Sequence, residues 1–293
     1  MADLQKLSIY GLLNDVSYHR ARCCAEDLFK ANPAQFSCPE VRGMLEFEWD
    51  LFIDSKKHEQ RGETWQFEEK AICFIDEQLI GGPDNFIAWA EDNCCFEEFR
   101  PYALYETLTE KAYKTYLNTK NHDYVYMDIS IGGEPAGRLT FELFSDIVPR
   151  TCTNFKALCT GEKGATEECK LTYQNTLFHR VVPNGWIQGG DIFLGRGNGG
   201  ESIYGEVFED ENYALHHNKR GIIGMANKGR HTNASQFFIA LQPSKWMDTK
   251  YVAFGQVIEG TETLRKMEEV ETMNERPSKD IRVTSCGIMT YEF

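Results

Sequence analysis

The sequence predicts a protein of two domains, an α/β domain at residues 1–121 followed by a β-rich domain at residues 122–293. The chain has 293 residues, which is enough for two separate hydrophobic cores. Strand-like and helix-like hydrophobic periods alternate in the first part, whereas strand-like runs such as Tyr124–Ile131 prevail in the second. The length allows two domains, and their boundary falls where the motifs of the second domain begin.

Composition and charge argue against some binding partners and against some cellular locations. The net charge is −14 at pH 7, which argues against binding of free nucleic acid. No apolar run approaches ~18 residues, so no membrane span is expected. The first ten residues lack the basic start and the apolar core of a signal peptide, and we therefore expect a cytoplasmic protein.

Ten cysteines are scattered along the chain, and no two of them form a CxxC pair. Zinc ribbons and thiol redox motifs need that spacing, so the sequence predicts neither a metal site nor a cofactor. The composition favours reduced, partly buried thiols in a cytosolic protein.

The first domain is predicted to run in the order strand, helix, helix, hairpin, helix. Asn14 or Asp15 starts the first helix, and Pro33 follows its end, as is typical of helix boundaries. A tight turn at Asp76 and Glu77 joins the strands of the hairpin. The predicted elements are a strand at 7–13, helices at 16–32 and Met44–His58, the hairpin within 65–82 and a helix at Asp84–Glu91.

This order resembles the thioredoxin superfamily, and glutaredoxins in particular. That family has its active CxxC after the first strand, where this chain has Leu13–Tyr18 without a cysteine. It also has a proline just before the strand that corresponds to Ala71–Ile75, and none stands there. Cys23 and Cys24 lie about two turns into the first helix, away from the N-terminus that would stabilise a thiolate. We therefore expect a degenerate, non-redox domain that is kept as a docking surface.

A helix at Tyr102–Leu117 is predicted to bridge to the second domain. Its residues Leu104, Leu108, Ala112 and Tyr116 share one face. From the sequence, this face either packs against the neighbouring domain or binds a partner protein.

The second domain is organised around the run Phe178–Asp191, an apolar stretch that carries one arginine and closes on two glycines. An unpaired arginine among apolar residues is costly, because its charge is expensive to remove from water. Arg180 is therefore expected to point into a polar or ligand-filled cleft. Two further runs stand out: Gly224–Ala240, rich in small and amide residues, and the cluster Trp246–Tyr251.

At these spacings the chain resembles a cyclophilin from about Tyr124 to Phe293. The motifs FELFSDIVPRTCTNF, FHR, QGGD, MAN, NASQFFI and VAFGQVIEG follow in the order of that family. The resemblance implies an antiparallel β-barrel capped by helices, which strands at 124–131 and 138–144 and a helix at 150–159 open. It also implies the activity of a peptidyl-prolyl cis-trans isomerase.

Isomerisation requires rotation about an X-Pro amide, which resists by ~18 to 20 kcal/mol because nitrogen shares its lone pair with the carbonyl. A site speeds this rotation by gripping the proline ring and by offering a hydrogen-bond donor toward the proline nitrogen as resonance breaks. By resemblance Arg180 is that donor, and lysine lacks the fork geometry to replace it. The alternative is an arginine paired with a carboxylate on the barrel wall.

The resemblance also assigns residues that hold the substrate. Gln188 and Gln236 would hold its backbone and orient Arg180, while Asn227 and the Ala226 carbonyl would pair with the residue before proline. The remaining candidates are Phe238 and Met247 in the apolar pocket, Trp186 on its floor, Trp246 and Tyr251 at its rim, and Gly197 along the groove. Trp246 would also favour a cyclosporin-type ligand. Barrel hydrogen bonds remain the alternative for the glutamines, and core packing for Phe238 and Met247.

Four positions depart from the family pattern. Gly185 and Trp186 stand where the family has phenylalanine and methionine on the pocket floor, Lys228 replaces a small residue, and Tyr251 replaces a histidine. The missing ring at Gly185 would remove ~2 to 3 kcal/mol of apolar contact, which weakens proline binding by roughly one to two decades. Lys228 should favour acidic residues upstream of proline.

The segment between Gly164 and Phe178 is longer than in the simplest cyclophilins and resembles the divergent-loop type. By that resemblance Glu201 anchors the loop, and Cys159 and Cys286 are a possible redox pair. The alternative is two buried thiols.

A non-redox leader followed by NGWIQGGD and MANKGRH resembles a cyclophilin subfamily related to one of the radial spokes of motile cilia. This implies recognition of proline-containing protein segments within such an assembly, in the cytoplasm or the axoneme of a cilium or flagellum, with isomerase activity weak or absent. The alternative is an active isomerase that assists folding, because the residues named above for catalysis and binding survive. A thiol oxidoreductase is disfavoured by the missing CxxC.

Overall fold

A computed structural model describes residues 4–120, 122–165, 170–193 and 195–290, without the side chain of Glu63. The described chain divides into two compact units, residues 4–119 and residues 120–290. None of the helices in these ranges combines the length and the apolar character that crossing a bilayer requires.

The first unit is built on a four-stranded mixed sheet in the order β2-β1-β3-β4, in which β1 runs parallel to β2 and antiparallel to β3. Its elements are β1 (Leu7–Leu12), α1 (Val16–Ala31), β2 (Glu40–Met44), α2 (Glu46–Gln60), β3 (Ala71–Ile75), β4 (Gln78–Gly81), α3 (Pro83–Cys94) and α4 (Tyr102–Thr119). The predicted α/β class is confirmed. The likeness to thioredoxins stays a prediction.

Strand β2 was not predicted from the sequence. Its first three residues are exposed at the edge of the sheet, so the strand lacks the alternation of apolar and polar residues that marks a half-buried strand. The helix predicted from Met44 consequently begins two residues later, because Met44 ends the strand and packs into the core.

Helix α4 buries a face next to the one that the sequence assigned to a contact with the second domain or a partner protein. Tyr105, Thr109, Tyr113 and Leu117 are buried, whereas Leu104 is exposed. The buried positions lie one residue beyond the predicted ones, because the large rings of the two tyrosines bring more apolar surface than the leucine and alanine beside them.

Cys23 and Cys24 are buried in α1, where the side chain of Asp15 caps the helix by accepting from the N–H of Ser17. Burial raises the pKa of both thiols. A raised pKa suppresses the thiolate that redox chemistry needs, so their position fits a packing role.

The second unit is an eight-stranded antiparallel sheet in the order β14-β5-β6-β11-β9-β10-β8-β7. Its elements are β5 (Asp123–Ile131), β6 (Glu134–Leu143), α5 (Pro149–Thr160), β7 (Arg180–Val182), β8 (Trp186–Gly189), β9 (Ile222–Met225), β10 (Phe237–Ala240), β11 (Ala253–Glu259), α6 (Thr261–Glu268), β12 (Thr272–Met273), β13 (Arg276–Pro277) and β14 (Ile281–Ile288). Strands β12 and β13 form a separate hairpin.

The sheet curls until its two edges meet. The segment just before β7 pairs with β14, since the N–H of Phe178 donates to the Ile281 carbonyl at 2.8 Å and the N–H of Val283 donates to the Thr176 carbonyl at 3.0 Å. Inside, Phe155 of α5 packs against a ring of buried aromatic side chains: Phe141, Tyr173, Phe237 and Phe254. The predicted curled antiparallel sheet with helices is confirmed.

Candidate functional site

Nine of the predicted site residues meet around one cavity of about 320 Å³ in the second unit. They are Arg180, Trp186, Gln188, Ala226, Asn227, Phe238, Trp246, Met247 and Tyr251. The other two candidates for peptide binding, Gly197 and Gln236, line an adjoining cavity of about 950 Å³ that shares Gln188, Ala226 and Asn227. The fold thus gathers residues that are up to 71 positions apart in the sequence.

Strand register places the central side chains next to one another. Gln188 on β8 lies opposite Arg180 on β7 and opposite Phe238 on β10. Side chains of directly paired residues point to the same face of a sheet. The guanidinium of Arg180, the amide of Gln188 and the ring of Phe238 therefore lie in a row across β7, β8 and β10.

Arg180 lines the cavity and is also paired with a carboxylate. Its Nε donates to Oε2 of Glu275 at 2.6 Å, and the two side chains are 40% and 44% exposed. Its guanidinium carbon lies 5.1 Å from the centre of the Trp186 ring, within cation–π distance. The sequence offered a cleft-facing arginine and a carboxylate-paired arginine as alternatives, and the structure combines them.

The two glutamines are linked to each other and to the glycine-rich segment after β8. Nε2 of Gln188 donates to Oε1 of Gln236 at 2.9 Å, and Nε2 of Gln236 donates to the carbonyls of Gly197 at 3.0 Å and Gly199 at 2.6 Å. This is the barrel hydrogen bonding that the sequence left open as an alternative. In this arrangement Gln236 positions Gln188 beside Arg180.

Gly197 has a φ of +89°, and a Cβ added there would lie 2.8 Å from the His179 ring. Its N–H donates to the buried carboxylate of Asp191 at 2.7 Å. Burial alone would raise the pKa of Asp191, but hydrogen bonds from backbone N–H groups, that of Gly197 among them, outweigh it and lower the pKa. An ionised, fully engaged Asp191 therefore fixes the glycine segment against which Gln236 is held.

The Asn227 side chain is engaged within the protein. Its Nδ2 donates to the Lys250 carbonyl at 3.0 Å, and its Oδ1 accepts from the N–H of Gly229 at 3.3 Å. Pairing with a peptide therefore uses the main chain of this segment or requires these bonds to break.

An aromatic wall surrounds the cavity. The Trp186 and Trp246 rings are 5.8 Å apart, and those of Phe238 and Tyr251 are 5.7 Å apart. Phe238 and Met247 are 3% and 2% exposed, whereas Trp246 is 53% exposed. The apolar pair thus forms the inner surface, and Trp246 stands at the rim as expected.

A histidine behind this wall was not singled out from the sequence. The ring of His217 is fully buried and stacks on Phe238 at 5.6 Å, and its Nδ1 lies 2.9 Å from Oδ1 of Asp248. Burial lowers the pKa of His217 despite this carboxylate. The neutral ring of His217 therefore packs behind Phe238. Phe238 lies 21 positions further along the sequence, so no local pattern indicates this contact.

The model of the family described as cyclophilin type peptidyl-prolyl cis-trans isomerase/CLD matches residues 126–288. The chain belongs to the cyclophilin family.

The similar proteins include one that extends over both units of this cyclophilin. "Probable inactive peptidyl-prolyl cis-trans isomerase-like 6" is 48% identical in mouse over 97% of this chain and 91% of that protein. The human protein of the same name is 45% identical over 96% of this chain and 91% of its own. The mouse "NK-tumor recognition protein" is 50% identical over 56% of this chain but 12% of that protein.

The floor of this cyclophilin's cavity differs from the expectation drawn for Gly185. Trp186 lines the cavity, but Gly185 is not among the described residues around it. Gly185 is buried in the turn between β7 and β8, and a Cβ added there would lie 2.9 Å from Cγ1 of Val182. The altered surface beside Arg180 is therefore the indole of Trp186 and not a gap left by Gly185.

The adjoining cavity contains charges of both signs. Lys228 lines it with its Nζ 3.4 Å from the Asn198 carbonyl, and Glu201 and Glu206 line it as well. The two carboxylates reduce the preference for acidic peptides that Lys228 alone would confer.

Cys159 is buried in α5 and Cys286 is half-buried in β14, and both are free thiols. Burial raises the pKa of Cys286 to about 11, and it raises the pKa of Cys159 well above the ordinary thiol value. Few thiolates form under these conditions, which favours the alternative of two structural thiols. The loop that Glu201 was predicted to anchor, between Gly164 and Phe178, includes residues 166–169, which lie outside the described part of the chain.

Proposed function

We propose that this cyclophilin binds proline-containing segments of other proteins and that its isomerase activity is weak or absent. The observation that carries the proposal is the arrangement of the 320 Å³ cavity, in which the inner apolar surface of Phe238 and Met247 is kept while the Trp186 ring lies 5.1 Å from the Arg180 guanidinium. The surface that grips proline is present, and the space beside the donor is altered.

Such an alteration affects rate more than affinity. Misplacing a catalytic group by ~1 Å can cost a hundredfold in rate, whereas contacts with the ground state tolerate such a shift better. The names of the mouse and human relatives, which carry the words "probable inactive", support the same conclusion.

We propose further that the protein works within a larger assembly such as a ciliary radial spoke, in the cytoplasm or the axoneme. In this proposal the first unit docks a partner and performs no thiol chemistry, since its α1 cysteines are buried with raised pKa values. The similarity to the mouse and human relatives also extends through this unit. The exposure of Trp246 supports the proposal that a cyclosporin-type ligand would contact it.

A second candidate function is active isomerisation in protein folding. The placement of Gln188 beside Arg180 by strand register, together with the bond from Gln188 to Gln236, favours it.

A protease-coupled assay on a short Xaa-Pro peptide separates the two functions. We expect the full chain to turn over at least about a hundredfold more slowly than an ordinary cyclophilin, since a shift of ~1 Å costs that much. Arg180→Ala should lower the residual isomerase rate to the uncatalysed rate. Arg265→Ala, on the exposed side of α6, should leave the residual rate unchanged. A rate within tenfold of an ordinary cyclophilin, abolished by Arg180→Ala, would establish the active isomerase instead.

A further inference from the structure

The hairpin β12–β13 carries an unfavourable residue in its turn. Asn274 and Glu275 form the two-residue turn, with φ values of +51° and +65°. Positive φ at both central residues defines a type I′ turn, for which Asn-Gly is the preferred pair. Glu275 therefore occupies a position that favours glycine, and such backbone strain persists only where surrounding contacts compensate for it.

The compensating contacts are both made with strand β7. The carbonyl of Glu275 accepts from the N–H of Val181 at 2.7 Å, and its carboxylate accepts from Nε of Arg180 at 2.6 Å. The first contact needs only a backbone and would survive with glycine. The second contact requires the glutamate side chain. Compared with glycine at this position, Glu275 therefore contributes the bond to Arg180.

Resting on the proposed function of this site, we infer that Glu275 is an internal competitor that occupies Arg180 and restrains its action on proline. A carboxylate at 2.6 Å offsets the positive charge that Arg180 would direct at the proline nitrogen. The same bond holds Nε, so Arg180 must leave Glu275 before this N–H can donate to a substrate.

The exposure of the pair limits the size of this effect. With both side chains about 40% exposed, the pair falls among the weak, solvent-screened ones. Its release should therefore raise the isomerase rate by about three- to fivefold, the factor that corresponds to the upper range of exposed ion pairs. The larger part of a hundredfold loss would then arise from other residues of the cavity.

Three variants of the full chain test the inference. Glu275→Gln removes the charge and keeps the strained turn, whereas Glu275→Gly removes both. Glu271→Gln is the matched control, since it makes the same change of charge at an exposed residue next to the same hairpin. Exchange spectroscopy across the Xaa-Pro bond of a bound peptide gives the rate, and the NMR signal of the Arg180 Nε–H group reports the contact without any peptide.

We expect both Glu275 variants to shift the Nε–H signal and to raise the rate about three- to fivefold, with Glu271→Gln unchanged. Peptide binding with the same rate in all variants would overturn the inference and leave the proposed function standing. An Nε–H signal that Glu275→Gln does not change would overturn it as well. Peptide shifts missing from every protein would contradict the proposed function, while the Nε–H signal would still decide whether Glu275 holds Arg180.

Discussion

At the scale of single residues, Trp186 changes the cavity surface beside Arg180. Its ring lies 5.1 Å from the Arg180 guanidinium and 5.8 Å from the Trp246 ring, so the indole forms the cavity surface next to the proposed donor. If the total loss is about a hundredfold and Glu275 contributes up to about fivefold, more than tenfold is left for other residues, among which Trp186 lies nearest to the proposed donor in the described contacts.

We therefore expect Trp186→Met to raise the isomerase rate at least about tenfold, because the flexible methionine frees space beside Arg180. The measurement is the protease-coupled rate. Trp65→Met, which alters an exposed tryptophan of the first unit, is the control and should leave the rate unchanged. An unchanged rate in Trp186→Met would show that the site is blocked elsewhere.

The same residues show where sequence reasoning reaches its limit. The motifs around Arg180, Gln188 and Phe238 were sufficient to predict which residues line the cavity. The consequence of Gly185 could not be predicted, because the direction in which its missing Cβ would point depends on the turn between β7 and β8.

At the scale of elements, the glycine segment after β8 determines the geometry of the amides. Gln236 donates to the carbonyls of Gly197 and Gly199, and Asp191 accepts backbone N–H groups of the same segment. Any side chain at Gly197 meets the His179 ring at 2.8 Å in addition to its unfavourable φ of +89°.

Gly197→Ala is therefore expected to weaken peptide binding at least about threefold and to lower the free energy of unfolding by more than the ~1–2 kcal/mol of the backbone strain alone. Gly133→Ala is the matched control, since Gly133 has a φ of +92° with nothing within 4 Å of an added Cβ. Gly133→Ala should lower the free energy of unfolding and leave peptide binding unchanged. Urea unfolding and peptide titration measure the two quantities, and equal affinity in both variants would disprove the role given to this segment.

The elements that sequence patterns missed share a physical cause. The edge strand β2 and the short hairpin β12–β13 are both formed by pairing with distant residues and carry little periodicity of their own. Glu275 lies 95 positions from Arg180, so no local pattern connects them. The buried face of α4 lies one residue beyond the face named from the sequence, because tertiary packing sets the rotation of the helix.

At the scale of the whole molecule, the family and the fold class were predicted from ordered motifs and are confirmed. The role of the first unit remains a proposal, since its mixed sheet and buried cysteines show how it packs and not what it binds. The account as a whole makes one central claim, that peptide binding and catalysis are separated in this cyclophilin.

The most direct test is an NMR titration of the full chain with proline-containing peptides, combined with exchange spectroscopy across the Xaa-Pro bond. One sample then reports affinity and turnover together. We expect clear shifts at Arg180 and Phe238, with cis/trans exchange at least about a hundredfold slower than an ordinary cyclophilin produces. Exchange as fast as that of an ordinary cyclophilin, or peptide addition that leaves Arg180 and Phe238 unshifted, would contradict the claim.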